Sequence, residues 1–262
     1  MGLSVAAPPF PYSPYCGAPP TPTSLLVRWN LDPWLLAGLG FALVGYLWAT
    51  KGRTYRGRPP RLAFVAGWVA AALCLTSPLC ALSVALFSAR VGQHLILVTL
   101  AAPLVAMGLP RLRLLGGGTW LSTAAFTATL WFWHAPGPYR AAFDGPVVYW
   151  LMHATLFGSA VWLWAEALTA WRSRHGNALI AIALAGGQMG LLGAVLTFLP
   201  RSIYGVHTFT TIAWGLTPLQ DQQLGGAFMW APGGAITAAA LTLMMAAVLG
   251  ATGARRPAGA AA

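Results

Sequence analysis

Long apolar stretches alternate with short polar connections over most of the chain. Most of the stretches reach or approach the length of about 20 residues that a helix needs to cross the hydrocarbon core of a bilayer. The pattern predicts seven transmembrane helices, at 34–50, 62–82, 91–109, 119–135, 147–171, 178–199 and 225–250. We therefore expect an all-α membrane protein with a seven-transmembrane helix bundle at residues 34–250.

Composition supports a membrane protein. Of the 262 residues, 58% are hydrophobic and only 7% are charged, with a mean hydropathy of +0.67. An ordinary soluble domain carries about 25% charged residues. Soluble enzymes and secreted scaffolds are therefore excluded, and the chain contains no phosphate loop, nucleophile elbow or HExxH motif that would indicate an enzyme.

Basic residues fall mostly on one side of the predicted bundle. The chain has 15 Lys and Arg against 4 Asp and Glu, a net charge of +11. Most of the basic residues lie in the connections at 51–61, 110–118 and 172–177 or after residue 250. The positive-inside rule then places the N-terminus outside and the C-terminus in the cytoplasm. In a membrane protein this excess suits anionic lipid, so we infer no nucleic-acid partner.

The two ends of the chain differ from the bundle. Residues 1–33 are rich in proline and lack an apolar run long enough for a signal peptide. We expect them to form an extended, poorly ordered extracytoplasmic tail. Residues 251–262 are predicted to form a short cytoplasmic tail.

Three histidines lie near the predicted outer side, on three different helices. His94, His134 and His153 have similar depths at about 1.5 Å per residue, so they converge if their helices are neighbours. Ionisable side chains at membrane depth are costly and mark candidate functional sites. Because neutral imidazole binds copper, iron, nickel and zinc, the pattern indicates a metal site. The alternative is three separate interfacial histidines bonded to water or backbone.

Sulfur atoms lie on the same side of the predicted bundle. Met152 precedes His153, Met229 is near the start of the last helix, and Cys80 ends the second. Thioether and thiolate ligands favour copper(I), although methionines in apolar helices most often serve packing. The three cysteines leave one unpaired in any disulfide scheme, and Cys16 in the tail is a candidate for delivering a metal.

Polar residues open the last predicted helix. Asp221 either caps that helix by accepting from its first amides or supports a liganding histidine. We expect Gln222 beside it, and Gln93 on the third helix, to surround the ligands. The middle of the predicted bundle offers no charged residue and only the polar Gln188, so a continuous transport path is weakly supported.

Three segments resemble the CtaG family of cytochrome c oxidase assembly factors. They are TSPLCALSVALFSARVGQHLILVTLAAPLVAMGLP at 76–110, WFWHAPGPYRAAF at 131–143 and DQQLGGAFMWAPGG at 221–234. The resemblance implies a multi-pass bacterial inner-membrane protein, not an enzyme, that matures the haem-copper oxidase through copper insertion. It also implies functional positions at His94, His134, His153 and Asp221.

The chain departs from the family pattern at two places. The family commonly has a histidine at the position of Arg90, and an H-x-x-E-H pattern where this chain has Tyr149 and Met152 before His153. Two potential ligands and a carboxylate are missing, which weighs against a multi-copper site.

Arg90 also brings a positive charge next to the predicted site. Such a charge disfavours a bound cation unless a carboxylate neutralises it. Asp144 and Asp221 are the candidates for that role.

The residues and the resemblance together predict a bundle whose outer mouth holds copper(I) transiently. His94, His134 and His153 are the predicted ligands, with Met152 as a soft ligand. Ligand exchange with a periplasmic copper chaperone or an oxidase subunit would move the ion. Two alternatives stay open: a transporter for copper or another small solute, and a scaffold that binds oxidase subunits without metal. A homo-oligomer is a further open alternative.

Overall fold

The computed structural model describes residues 12–52, 60–109, 118–171 and 174–253, in which the regular elements are helices and no strand occurs. The all-α prediction is confirmed. The predicted C-terminal tail begins inside the last helix, and residues 254–262 lie outside the described ranges. The helices are α1 (Pro33–Ala49), α2 (Pro60–Thr76), α3 (Pro78–Ala85), α4 (Phe87–Leu95), α5 (Ala102–Gly108), α6 (Gly118–His134), α7 (Pro136–Ala141), α8 (Pro146–Ala170), α9 (His175–Phe198), α10 (Pro218–Trp230) and α11 (Pro232–Gly253).

A helix lies at each of the predicted membrane segments. In the described ranges, four stretches are long and apolar enough to cross a membrane: Phe87–Gly108, Pro146–Ala170, His175–Phe198 and Pro218–Ala246. A fifth results when α2 and α3 count as one bent span, and α1 is apolar but has only 17 residues. The number of seven spans and the orientation of the termini stay predictions.

Apolar side chains cover the outside of the bundle as well as its interior. Trp34, Phe41 and Leu243 are 85%, 82% and 73% exposed. Such side chains would be unfavourable in water but match the hydrocarbon of a bilayer, where each helix satisfies its own backbone groups. The surface is therefore that of a membrane protein.

The second predicted span is broken rather than continuous. The axes of α2 and α3 differ by 53° at Ser77. Pro78 follows, and a residue before proline avoids the helical region, so Ser77 adopts an extended ψ of 170°. The bend turns α3, which carries Cys80, along the end of the bundle where the N-terminal segment lies.

A π-helical stretch, Ile96–Ala101, joins α4 to α5. Pro103 causes it, since proline has no N–H and its ring clashes with the carbonyl four residues earlier. Ala102 N donates to Leu97 O, which leaves the carbonyl of Val98 without its usual donor. The indole of Trp164 in α8 donates to Val98 O at 3.0 Å instead. One tryptophan thus satisfies the backbone group that the proline frees.

Helices α9 and α10 meet backbone to backbone. A Cβ atom on Gly193 would lie 2.7 Å from Gly226 O, and one on Gly226 would lie 2.6 Å from Gly193 O. Any larger residue would push the helices apart, and small residues commonly serve this role between membrane helices.

Residues 12–32 pack against the bundle, in contrast to the predicted poorly ordered tail. A disulfide joins Cys16 to Cys80 in α3. The hydroxyl of Tyr15 donates a hydrogen bond to Asp32, which caps α1. The prediction is wrong for these residues because a cross-link between distant positions, which proline content does not reveal, holds them in place. Residues 1–11 lie outside the described ranges.

Candidate functional site

The polar residues of the site come from three helices and lie at the same end of the bundle. Helix α4 carries Arg90, Gln93 and His94 on one face, because residues three and four apart share a side of a helix. His134 is the last residue of α6, and His153 lies two turns into α8. All five side chains are buried, and the most exposed, His94, is only 7% exposed.

The three histidines that the sequence singles out come together. The ring centroid of His94 lies 6.2 Å from that of His134 and 5.3 Å from that of His153. Two imidazoles that bind one ion through bonds of about 2.0 Å have centroids about 5 to 6.5 Å apart, depending on the angle between the bonds. Both separations are compatible with a shared ion.

Backbone contacts set the state of two of these rings. His134 Nδ1 lies 2.8 Å from Leu130 O, and His153 Nδ1 lies 3.0 Å from Tyr149 O. Since a carbonyl only accepts, Nδ1 carries the proton in both rings and Nε2 keeps its lone pair. Metal-binding histidines commonly donate their second ring nitrogen to a carbonyl in this way.

Several ring nitrogens of the cluster have no hydrogen-bond partner among the described residues. These are His153 Nε2 and both nitrogens of His94. Buried polar atoms are normally paired, so an unpaired group calls for an explanation such as an ion or a water molecule. The cluster offers lone pairs without protein donors.

A small cavity lies beside the cluster. It has a volume of about 20 Å³, which suits one water molecule or a single ion. His94, His134 and the thioethers of Met189 and Met229 are among its lining residues. Within the described ranges, no group of three or more His, Cys, Asp or Glu side chains is arranged to hold a metal ion. A site here would therefore depend on methionine sulfur as well as imidazole.

Met152, the soft ligand predicted from the sequence, packs in a neighbouring apolar cluster. It is fully buried against Cys80, Trp133 and Tyr149. Met189, which the sequence pattern did not single out, lines the cavity instead. The signal that could have revealed Met189 is its depth in the bundle. Met189 lies two to three turns before the end of α9, and His153 lies about two turns after the start of α8.

The two glutamines expected around the ligands differ in their contacts. Gln93 Nε2 donates to Cys74 O at 2.7 Å, and its Oε1 has no partner among the described residues. Gln222 accepts from Ile203 N at 2.8 Å and donates to Leu196 O at 3.3 Å. Gln222 thus fastens the loop after α9 to α10, whereas Gln93 stays a candidate for supporting the cluster.

Asp221 caps a helix, but not its own. Its carboxylate accepts from Phe87 N at 2.6 Å and from the amide and hydroxyl of Ser88 at 3.1 and 2.5 Å. It therefore caps α4, whose first amides lack intrahelical partners. Helix α10 is capped by a capping box of Thr217 and Gln220. The prediction that Asp221 caps the last helix is corrected, because the carboxylate reaches across to a neighbouring helix.

Gly225 permits this approach of α10 to α4. A Cβ atom there would lie 2.5 Å from the ring of Phe87 and 3.2 Å from the Cα of Ser88. The DQQLGG pattern thus has a packing role: the aspartate reaches the neighbouring helix because the glycine one turn later lets the helices touch.

Arg90 is fully buried above aromatic rings. Its Nε donates to Ser83 O at 3.2 Å, and its guanidinium lies 4.0 Å from the ring centre of Phe143 and 5.3 Å from that of Tyr139. Both Nη atoms lack hydrogen-bond partners in the described part of the chain. Attraction to the ring faces stabilises this cation.

Neither predicted carboxylate neutralises Arg90 by an ion pair in the described ranges. Asp144 pairs with Arg140 at 3.8 Å on the surface, and Asp221 is occupied at the start of α4. The positive charge therefore stays next to the histidine cluster.

His207 is a fourth buried histidine, in the loop between α9 and α10. Its Nε2 lies 2.7 Å from the hydroxyl of Tyr139 and its Nδ1 lies 3.2 Å from Ala85 O. Burial, and then the charge of Arg90, lower the pKa of His207 to about 3. His207 is a neutral structural residue with both ring nitrogens bonded.

The disulfide contacts Tyr149, a neighbour of the histidine cluster. The sulfur atoms of Cys16 and Cys80 lie 3.5 and 3.6 Å from the hydroxyl of Tyr149. The ring of Tyr149 lies 4.2 Å from that of His153. In this oxidised form neither sulfur is a thiolate, so neither acts as the soft ligand that the sequence suggested. The unpaired third cysteine is Cys74, which is buried.

Comparisons with known proteins identify the family. No curated protein and no solved structure matches the chain. A family model described as "Cytochrome c oxidase caa3 assembly factor" matches residues 41–250, a range that includes the three clustered histidines. The chain belongs to this family, the Caa3_CtaG assembly factors of cytochrome c oxidase.

Proposed function

We propose that this protein holds copper(I) as cargo during the assembly of a haem-copper cytochrome c oxidase. The observation that carries the proposal is the cluster itself: three neighbouring imidazoles, two of which have unpaired nitrogens among the described residues, next to a cavity lined by two thioethers. Imidazole and thioether together favour copper(I) over harder cations such as Mg²⁺.

Arg90 suits a site that releases its ion. An unneutralised positive charge beside the histidines weakens the binding of any cation. A protein that passes copper on needs moderate affinity, because a tight closed site would retain the ion. The position of Arg90, where the family commonly has a histidine, therefore favours transfer over storage.

The proposed transfer takes place on the extracytoplasmic side. Two observations support this side: the Cys16–Cys80 disulfide is typical of an oxidising compartment, and the distribution of basic residues favours an extracytoplasmic location for this end of the bundle. The partners would then be oxidase subunits, which belong to the family's role, and a periplasmic copper chaperone as donor or acceptor.

Copper content after anaerobic loading tests the proposal. We expect the purified protein to hold about one copper(I) per chain and a variant with His94, His134 and His153 replaced by alanine to hold none. His175→Ala is the matched control. His175 is the first residue of α9, at the end of that helix away from the histidine cluster, so its replacement should leave the copper content unchanged. Equal copper in the triple variant and the wild type, or none in either, would contradict the proposal.

The two alternative functions predict other results. A transporter would carry copper across sealed vesicles, yet mid-bundle Gln188 is bonded to Trp131 at 3.0 Å rather than lining an open polar path. A scaffold without metal would bind oxidase subunits equally well with and without the three histidines.

A further inference from the structure

The N-terminal segment, residues 12–32, covers the end of the bundle that holds the histidine cluster. Tyr15 stacks on Tyr149 with ring centres 4.9 Å apart and meets Trp150 edge-on at 5.1 Å. At the other side, the indole of Trp214 donates to Pro20 O at 3.2 Å. The segment therefore spans from α8 to the loop before α10.

The only covalent link between this segment and α3 in the described residues is the Cys16–Cys80 disulfide. The two cysteine residues differ in burial: Cys16 is partly exposed, whereas Cys80 is fully buried. Both contact the hydroxyl of Tyr149, and the ring of Tyr149 contacts His153. A single side chain thus separates the disulfide from the cluster.

We propose that Cys16 and Cys80 form a thiol–disulfide exchange site, and that its reduction by an extracytoplasmic dithiol uncovers the histidine cluster. The inference rests on the proposed function only in assigning copper as the ion that the uncovered cluster receives.

The partly exposed residue, Cys16, is the expected point of attack in the exchange. A thiolate of the reductant attacks Sγ of Cys16, the Cys16–Cys80 bond breaks, and Cys80 leaves as a thiolate that takes up a proton. The second thiol of the reductant then displaces Cys16 from the mixed disulfide. Two electrons and two protons pass to the protein, and the reductant becomes a disulfide.

Reduction removes the constraint that fixes the segment over Tyr149. The cysteines are 64 positions apart in sequence, so the cross-link closes a long loop and strongly limits the motion of the segment. After reduction, the contacts of the segment within the described residues are aromatic stacking and hydrogen bonds. The two thiols are also soft donors at the entrance to the cluster, where copper(I) would arrive.

Accessibility of the histidines tests this inference without copper. The full-length protein, oxidised or reduced with dithiothreitol, is treated with diethyl pyrocarbonate, and modification of His153 and His94 is followed by mass spectrometry. We expect reduction to raise their modification rate by about tenfold or more, as for a segment that opens locally. Cys16→Ser should show the high rate without any reductant.

Two controls accompany the experiment. Cys74→Ser, which removes the buried free thiol, should respond to reduction like the wild type, and His175 should react at the same rate throughout. Equal rates for His153 in the oxidised, reduced and Cys16→Ser proteins would overturn the inference. The comparison of the oxidised with the reduced wild-type protein involves no substitution, so misfolding of a variant cannot obscure its result. Failure of copper binding alone would contradict only the proposed function, since this readout contains no copper.

Discussion

Two groups of buried polar residues lie at the same end of the bundle. The polar atoms of one group are hydrogen-bonded to other residues, whereas several polar atoms of the other group have no partner among the described residues. In the first, which we call the capping network, Asp221 bonds to Phe87 and Ser88, and His207 bonds to Tyr139. In the second, the histidine cluster, His94 and His153 keep nitrogens without protein partners in the described part of the chain.

The difference separates structural polar residues from functional ones. Burying a polar group is unfavourable unless it is hydrogen-bonded, so the capping network stabilises the fold through its complete bonding. The histidine cluster gives up that stability and keeps lone pairs for a ligand. Burial is alike in both groups, and the bonding state of each atom distinguishes them.

Asp221→Ala tests the capping network and should have the largest effect. Two buried amides and one hydroxyl lose their acceptor, at about 1 to 3 kcal/mol for each buried group left unpaired. We expect the free energy of unfolding to fall by about 3 kcal/mol or more, measured by thermal unfolding in detergent.

Asp144→Ala is the control for that substitution. Asp144 pairs with Arg140 at the surface, and exposed pairs contribute less than about 1 kcal/mol. Similar losses for the two variants would show that Asp221 does not have a special role at the start of α4.

The pH dependence of stability tests His207. Its pKa is about 3 in the folded protein and about 6.5 when unfolded, so the unfolded chain binds more protons between these values. The contribution of neutral His207 is fully present above about pH 6.5 and is lost as the pH falls from there toward 3. We expect the Tm of the wild type to fall between pH 7 and 4.5 more steeply than that of His207→Gln. Parallel Tm curves for the two proteins would contradict this assignment.

His94→Leu tests the histidine cluster and should have the smallest effect on stability. Both nitrogens of His94 lack partners among the described residues, so an apolar side chain of similar size should change the free energy of unfolding by less than about 1 kcal/mol, or raise it. Copper binding should be lost at the same time. A strongly destabilised variant would mean that His94 is bonded in the folded protein, like His207.

The sequence predicts the helices well because their pattern is local. Each predicted membrane segment coincides with helix, since apolar length and the need to satisfy backbone groups in lipid leave few other structures. The bend at Ser77 is also encoded locally, by Pro78, although the apolar pattern alone merged α2 and α3 into one span. The cluster of His94, His134 and His153 was predictable from similar depth on different helices.

Contacts between residues that are distant in the chain cannot be predicted from local sequence patterns. From the sequence, Asp221 is expected to cap the last predicted helix. In the structure it caps α4, because Gly225 lets α10 approach α4. Cys16 pairs with Cys80 because the bend after α2 turns α3 along the end of the bundle where the N-terminal segment lies. Neither outcome follows from spacing, since which helices are neighbours is decided by packing over the whole chain.

The sequence by itself determined an all-helical membrane protein with histidines gathered at one end, because hydrophobic length and helical rise are properties of single segments. The tertiary structure decided which buried polar atoms find partners. Asp221 and His207 became structural because other helices supply their hydrogen bonds. Within the described part of the chain, the nitrogens of His94 stay unpaired because its neighbours are two other imidazoles and the thioethers of a cavity, and these groups do not donate to it.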